Sequence, residues 1–308
     1  MSKKNKERLP HQTTAVGVKE SVGDHIFNII NTILMIVICL VILYPLWYVI
    51  VASFTDPKIT NSGAFLLIPQ GFYTPGYEEA FDYPLLWSGY WNNIVYTVVG
   101  VIVSLVATIP CAYSLSRYDM VGRRPLMFLF TFTMFFSGGM VPLYLTIQDL
   151  GLYNTLWALV LPMAVSVYNL IVCRSFFESS LPIELLEAAK LDGCSDFGFF
   201  FKIAIPLSST IIAVMVLFYA TAMWNVYFNA IMYLRDESKM PLQVILRNLV
   251  LANQVNIGSS GAELADRTAL ANQLKYVVVT LAAFPLIIVY PFVQKYFAKG
   301  VMIGAVKG

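Results

Sequence analysis

The sequence predicts an all-α integral membrane protein with six transmembrane helices. Of its 308 residues, 58% are hydrophobic and only 12% are charged, and the mean hydropathy is +0.70. A soluble domain normally carries about 25% charged residues. A chain this long and this apolar cannot hide its side chains in one soluble core, so membrane lipid is the expected solvent of its apolar faces.

Six apolar stretches are long enough to cross a bilayer, which takes about 20 residues of helix. The third stretch is interrupted near its outer end by Gly138, Gly139 and Pro142. We expect no cleaved signal peptide, because the apolar run after residue 25 is too long for one. The six predicted spans are residues 26–52, 94–115, 126–145, 156–173, 211–228 and 276–292.

Positive charges predict the orientation of these spans. With the N-terminus inside, fourteen of the 20 Lys and Arg residues fall in inner segments and six in outer loops. Inner loops of membrane proteins carry the excess of Lys and Arg, so both termini are expected in the cytoplasm. The predicted order is a cytoplasmic segment 1–25, a six-helix transmembrane domain 26–296 and a cytoplasmic tail 297–308. Within the domain, an inner elbow lies at about 179–203 and an outer loop at about 229–274.

The sequence offers no group for catalysis or energy coupling. No Asp, Glu, Lys, Arg or His falls inside the six predicted spans, whereas proton- and ion-coupled transporters usually carry such groups there. A GxxxxGK[ST] loop, an HExxH helix and a GxSxG turn are missing too. The net charge of +2 gives no reason to expect a nucleic acid partner. We therefore expect no catalytic site, metal or cofactor on this chain, and a separate motor.

The inner elbow has the pattern of two short helices. Ser180 is expected to cap the first helix, and Pro182 follows in its first turn, where the missing N–H costs little. Gly193 is expected to end this helix, and Ser195 to cap the second one. The elbow is therefore predicted to be a helix–turn–helix segment between the fourth and fifth spans.

The spacing within the inner elbow resembles a family signature. Glu187-Ala188-Ala189, three residues, Gly193, nine residues and Ile203-Ala204-Ile205-Pro206 match the EAA signature of ABC importer permeases. Ile205 alone departs from the pattern, in which Leu is usual, and that exchange conserves volume. A lone EAA tripeptide carries no weight, but the complete spacing between two spans and on the inner side is specific.

Further stretches resemble one branch of that family, the carbohydrate-uptake permeases related to the smaller maltose permease subunit. The resemblance extends to the subgroup of Gram-positive bacteria that imports complex oligosaccharides, and it covers residues 26–308. The stretches are AYSLSR at 112–117, FSGGM at 136–140, DGC at 192–194, WN at 224–225 and FAKGVMIGAVKG at 297–308.

The resemblance implies a type I ABC importer permease fold in the bacterial plasma membrane. The implied partners are a second homologous permease, two ATPase subunits that bind ATP and Mg, an extracellular substrate-binding lipoprotein and a carbohydrate. The inner elbow is then a coupling helix that docks on an ATPase subunit. ATP-driven closure of the ATPase dimer would rock the spans and open the path outward.

The resemblance also assigns roles to single residues. Glu187 would meet a basic or polar group of the ATPase, Ala188 and Ala189 would permit close approach, and Gly193 would supply the turn. Ile203 and Pro206 complete the signature. The C-terminal tail would reach between the two ATPase subunits through Lys299, Gly300, Gly304, Lys307 and Gly308.

Several features of the sequence allow a second interpretation. Glu187 also suits any helix N-terminus, and Asn169 and Asn225 could bind sugar or only a neighbouring helix. The outer segment 240–254 has an amphipathic pattern, which suits either contact with the binding protein or a helix on the bilayer surface. Aromatic residues near the outer boundary suit sugar stacking or the interfacial belt, so no substrate residue is assigned; they are Trp87, Trp91, Tyr96, Trp224 and Tyr227.

Two alternative functions stay open at this level. An importer of peptides or amino acids would have the same signature and span count. A passive channel or scaffold could use the inner elbow only to bind partners.

Overall fold

The structure is a computed structural model that describes residues 21–255 and 262–305, with side chains at 21–253, 267–288 and 291. The described residues contain no β-strand, as the all-α prediction requires. The α-helices are α1 (Val22–Ser53), α2 (Pro57–Asn61), α3 (Pro75–Asp82), α4 (Leu86–Ser116), α5 (Arg123–Phe135), α6 (Met140–Asp149), α7 (Trp157–Val160), α8 (Val167–Ser180), α9 (Ile183–Leu191), α10 (Asp196–Phe199), α11 (Ile205–Leu207), α12 (Ser209–Trp224), α13 (Phe228–Tyr233), α14 (Leu242–Val255) and α15 (Ala262–Ala305). Two 3₁₀ turns, Leu161–Met163 and Glu237–Lys239, and a π-helical turn, Phe200–Ala204, complete the set.

Three described helices are long and apolar enough to cross a bilayer: α1, α4 and the part Arg267–Ile288 of α15. They correspond to the first, second and sixth predicted spans. The other three predicted spans correspond to bent helix pairs, so the count reaches six if each pair is one span. The pairs are α5 with α6 at 112°, Trp157–Met163 with α8 at 49°, and Asp196–Leu207 with α12 at 78°.

Local sequence explains the break in the third span. Gly139 precedes α6 with φ 88° and ψ 174°, a conformation that is essentially restricted to glycine. Pro142 follows in the first turn of α6, where a missing N–H leaves no hydrogen bond unmade. The interruption predicted at these residues is therefore confirmed.

The chain forms two compact units, Met1–Tyr48 and Val49–Gly308. The first unit contains most of α1, whose apolar side chains are exposed, as they are on a helix that meets lipid. In the second unit, α4 packs against both α8 and α12.

Small and polar residues of α4 let α12 approach closely. Gly100, Ser104 and Thr108 recur at four-residue intervals and are all buried. Met223 of α12 covers Gly100, and the Thr108 hydroxyl shares a hydrogen bond of 2.6 Å with Tyr219 of α12. Small residues that bring backbones together are the usual means of association between membrane helices.

The amphipathic segment of the outer loop forms α14, as predicted, but its apolar face is covered by the protein itself. Leu242, Ile245 and Leu249 are buried, and α14 packs against α4 and α15. The interpretation as a helix on the bilayer surface is therefore wrong, because that position requires the apolar face to meet lipid.

The last helix begins at Ala262, inside the segment expected to belong to the outer loop. Its early turns stay helical because they pack against α3 and α14. Gln273, which is buried, also donates through Nε2 to the carbonyl of Ser53 (2.9 Å) and accepts at Oε1 from the N–H of Gly76 (2.7 Å). Helix α15 then continues without interruption across residue 297, where the tail was expected to begin.

The contact of Gly100 with Met223 gives a stability prediction. A Cβ at position 100 would lie 2.7 Å from both Cγ and Sδ of Met223. Gly100→Ala should therefore destabilise the protein by about 1–3 kcal/mol, the usual cost of overpacking. Thermal denaturation in detergent should show a lower midpoint, and Met223→Ala in the same chain should remove most of the effect of Gly100→Ala. Strictly additive effects of the two substitutions would contradict this packing.

Candidate functional site

The first helix of the inner elbow, α9, begins one residue after Pro182. Ser180 does not cap it, because α8 continues through Ser180. The break falls at Leu181, with φ −116° and ψ 89°, since a residue before proline is pushed out of the helical region. The prediction of a Ser180 cap was therefore wrong, and the proline decided where α9 starts.

The turn between α9 and α10 has the predicted chemistry. Gly193 has φ +76°. The N–H of Cys194 donates to the carbonyl of Ala189 (2.9 Å), and the N–H of Gly193 donates to that of Lys190 (3.0 Å). This pair of bonds is the Schellman arrangement that ends helices at a left-handed glycine. Ser195 then caps α10 by accepting from the N–H of Gly198 (3.1 Å), as predicted.

The two alanines of the signature differ in exposure. Ala188 is exposed beside Glu187. Ala189 is only 8% exposed and belongs to the protein's own hydrophobic cluster, together with Phe177 and Phe199. This corrects the expectation for Ala189: its small side chain permits close approach within the chain, and only Ala188 is open to another surface.

The second half of the signature lies on a distorted helix. Ile203 is half-buried within the π-helical turn, and Pro206 is exposed on α11. A proline clashes with the carbonyl four residues earlier and removes one N–H, and a π-turn before it relieves both effects. The 78° bend into α12 follows directly, at Ser208.

The inner elbow carries large apolar side chains on its surface. Leu191 is 90% exposed and Phe197 is 80% exposed, and Phe201 is exposed as well. Two carboxylates, those of Glu184 and Glu187, lie on the exposed side of α9. An apolar surface flanked by acidic groups is suited to binding another protein.

Ion pairs between the end of α4 and the inner elbow form a first group that the sequence did not predict. Arg117, which follows α4 and is 15% exposed, donates through Nε to Oδ1 of Asp119 (2.8 Å) and through Nη1 to Oδ1 of Asp196 (2.6 Å). Nζ of Lys190 lies 3.6 Å from Oδ2 of Asp119. The hydrogen bond from Arg117 lowers the pKa of Asp119 to about 2 and raises the pKa of Arg117, so both stay charged at physiological pH.

A second group of ion pairs joins the N-terminal end of α5 to the C-terminal part of α8. Glu178 accepts from Nη2 of Arg123 (2.7 Å) and from Nη2 of Arg174 (2.5 Å). The same two arginines donate to carbonyls at the end of α4, Arg174 to that of Leu115 (3.0 Å) and Arg123 to that of Ser116 (3.3 Å). Of the ion-paired residues in these two groups, only Arg117 belonged to one of the further stretches that resemble the family, AYSLSR at 112–117.

Asn169 lies at the break in the fourth span. The amide is 7% exposed, and none of the described residues hydrogen-bonds its side chain. It lines a cavity of about 760 Å³ together with Ser166, Tyr168 and Thr221. An amide in such a position can both donate to and accept from a hydroxyl group. Asn225, by contrast, donates to the carbonyl of Thr221 (2.8 Å) on its own helix.

The aromatic residues divide into two kinds. Trp224 donates through Nε1 to the carbonyl of Ala282 (3.2 Å), and the Tyr96 hydroxyl donates to that of Lys239 (2.7 Å), so both hold the fold together. Others are partly or largely exposed, namely Trp87, Trp91 and Tyr227. Among the described residues, no group of three or more His, Cys, Asp and Glu could hold a metal ion.

Of the five predicted tail residues, three lie within α15 and two lie outside the described residues. At Lys299, Gly300 and Gly304 the structure describes only the backbone of α15. Lys307 and Gly308 lie outside the described residues altogether.

Comparison with known proteins places the chain in a family. The chain is 40% identical over 285 residues to the polygalacturonan/rhamnogalacturonan transport system permease protein YtcP of Bacillus subtilis, which covers 92% of this chain and 99% of that protein. It is 39% identical over 286 residues to Protein LplC of Bacillus subtilis, covering 93% and 96%.

A solved structure agrees with these relatives. A chain in the crystal structure of a bacterial ABC transporter involved in the import of the acidic polysaccharide alginate has a TM-score of 0.77 and 34% identity, covering 90% of this chain and 99% of that chain. The family described as binding-protein-dependent transport system inner membrane component matches residues 86–303. The chain therefore belongs to this family of ABC importer permeases.

Proposed function

We propose that this chain is one permease subunit of an ATP-driven importer that carries an oligosaccharide into the cell. The observation that carries the proposal is similarity along almost the whole chain to a permease of a polygalacturonan/rhamnogalacturonan transport system. The likeness to an importer of alginate, a second acidic polysaccharide, supports the same substrate class.

In this proposal each bent pair contributes one span, the fifth through α12 alone because most of Asp196–Leu207 belongs to the inner elbow, giving six spans with both termini in the cytoplasm. The bilayer tolerates a broken helix only where the freed backbone groups are buried in protein or line a watery cavity. The cavity beside Asn169 meets that condition for the fourth span. The distribution of Lys and Arg supports the orientation, which puts the inner elbow on the side of the ATPase.

The exposed side of the inner elbow is the ATPase-docking surface in this proposal. Ala188 and Leu191 form a small exposed apolar patch on it, and Glu187 supplies a negative charge for a basic or polar partner. ATP and Mg bind to the ATPase subunits, and the chain itself performs no chemistry. The expected assembly also contains a second permease and an extracellular binding protein. The C-terminal residues Lys299, Gly300, Gly304, Lys307 and Gly308 are proposed to reach the ATPase pair.

Purification of the complex tests this function. The chain, tagged at the N-terminus, is purified from native membranes in mild detergent and its partners are identified by mass spectrometry. We expect one kind of ATPase, a second six-span permease and a binding protein. The complex in proteoliposomes should import oligogalacturonides or alginate oligosaccharides with ATP. Import of peptides or amino acids instead, or a stable complex without an ATPase, would favour one of the alternatives.

Charge reversal tests the docking surface. Glu187→Lys should abolish uptake while the protein still reaches the membrane, because the reversed charge repels a basic group on the ATPase. Asp149→Lys, at an exposed carboxylate that ends α6 and lies outside the inner elbow, is the charge-matched control and should keep most of the uptake. Uptake is measured with a labelled oligosaccharide in intact cells. Normal uptake by Glu187→Lys would remove the role proposed for this residue.

Substitution of Gly193 tests the turn. A Cβ at this position would meet no atom within 4 Å, so only the positive φ disfavours other residues. Gly193→Asn should be tolerated, since Asn adopts the left-handed region, whereas Gly193→Val should break the turn and abolish coupling. ATP hydrolysis and uptake are measured in the same membranes. Equal activity of the two variants would show that the geometry of the turn is unimportant.

A further inference from the structure

We propose that Arg117 and Asp196 form the mechanical link through which the inner elbow moves α4. The inference rests on the proposed function, in which the ATPase moves the elbow. Arg117 is the first residue after α4, and Asp196 is the first residue of α10. Their side chains meet at 2.6 Å although they are 79 residues apart in the chain.

The geometry of the arginine fixes the direction of this contact. The guanidinium binds Asp119, in its own loop, through Nε and Nη2, and it binds Asp196 through Nη1. A planar group held at both sides cannot rotate freely, so a displacement of Asp196 is passed to the end of α4. Exposed ion pairs contribute little to stability. The role we propose for this link is therefore to hold Asp196 in position relative to the end of α4 and to fix the direction in which the two move.

A second contact holds the other side of the turn. Lys190 near the end of α9 lies 3.6 Å from Asp119. Lys190 and Asp196 flank Gly193, so the turn that carries the docking surface is attached to the segment 117–119 on both sides. A tilt of the elbow is therefore expected to pull on the end of α4 through both contacts.

A movement of the end of α4 can reach other helices because this end is already joined to α5 and α8. Glu178 is bound by Arg123 of α5 and Arg174 of α8, and both arginines bind carbonyls at the end of α4. Helices α4, α5 and α8 are thus tied at one point. The ring of Tyr113 also packs against Phe200 of the elbow at 4.9 Å, but an apolar contact of this kind can slide and does not fix a direction.

The test measures sugar transported per ATP hydrolysed, a ratio that does not depend on how much complex forms. The complete transporter is reconstituted in proteoliposomes with its binding protein and an oligogalacturonide. We expect Asp196→Asn to keep ATP hydrolysis but to lower the ratio about tenfold, within the usual range of coupling between sites. Arg117→Lys should lower it too, because a lysine cannot hold both carboxylates in one plane.

Two further variants complete the test. The double variant Arg117→Asp/Asp196→Arg restores opposite charges and should recover most of the ratio. Asp149→Asn removes an exposed carboxylate at the end of α6, outside the inner elbow and the link, and should leave the ratio unchanged. An unchanged ratio in both Asp196→Asn and Arg117→Lys, even with less complex assembled, would overturn the link and leave these residues a structural role. Absence of ATP-dependent uptake by the unaltered protein would instead overturn the proposed function.

Discussion

Close packing of α4 against its neighbours is the constraint on which the larger unit depends. Lipid supplies no hydrophobic force between membrane helices, so association rests on fit and on hydrogen bonds. Gly100 gives α12 room to approach, and the bond between Thr108 and Tyr219 holds the two helices at that distance. Tyr219 also accepts from the N–H of Ser166 at 3.2 Å, so the break in the fourth span is fixed by the same contact. Loss of the fit would therefore disturb both the helix packing and the cavity beside the break.

The three bent helix pairs meet the same physical requirement. Where a helix breaks, the hydrogen-bonding groups that are freed must be satisfied within the protein or by a watery cavity. At Gly139 the backbone itself requires glycine, while at Ser166 a side chain caps the following helix. Broken helices suit a transporter, because a bend can change its angle without unfolding the helices on either side.

The inner elbow combines a rigid turn with a surface that the described residues leave exposed. Its hydrogen-bonded turn at Gly193 and the cap at Ser195 are fully local. Its attachment to α4 is by contrast a set of long-range contacts through Arg117, Asp119 and Asp196. The local bonds make the elbow rigid, and the long-range contacts join it to the end of α4.

The sequence by itself determined the features that depend on neighbouring residues or on composition. Apolar runs marked the spans, and Gly193 and Ser195 marked the turn and the cap, because their effects act within a few residues. Ser180 failed as a cap because Pro182 controls the residue before it. The tertiary structure alone decided that Ala189 faces inward, that α14 is covered by α4 and α15, and that Arg117 meets Asp196. These contacts join residues far apart in the chain, and a pattern read along the chain carries no information about which distant side chains packing will bring together.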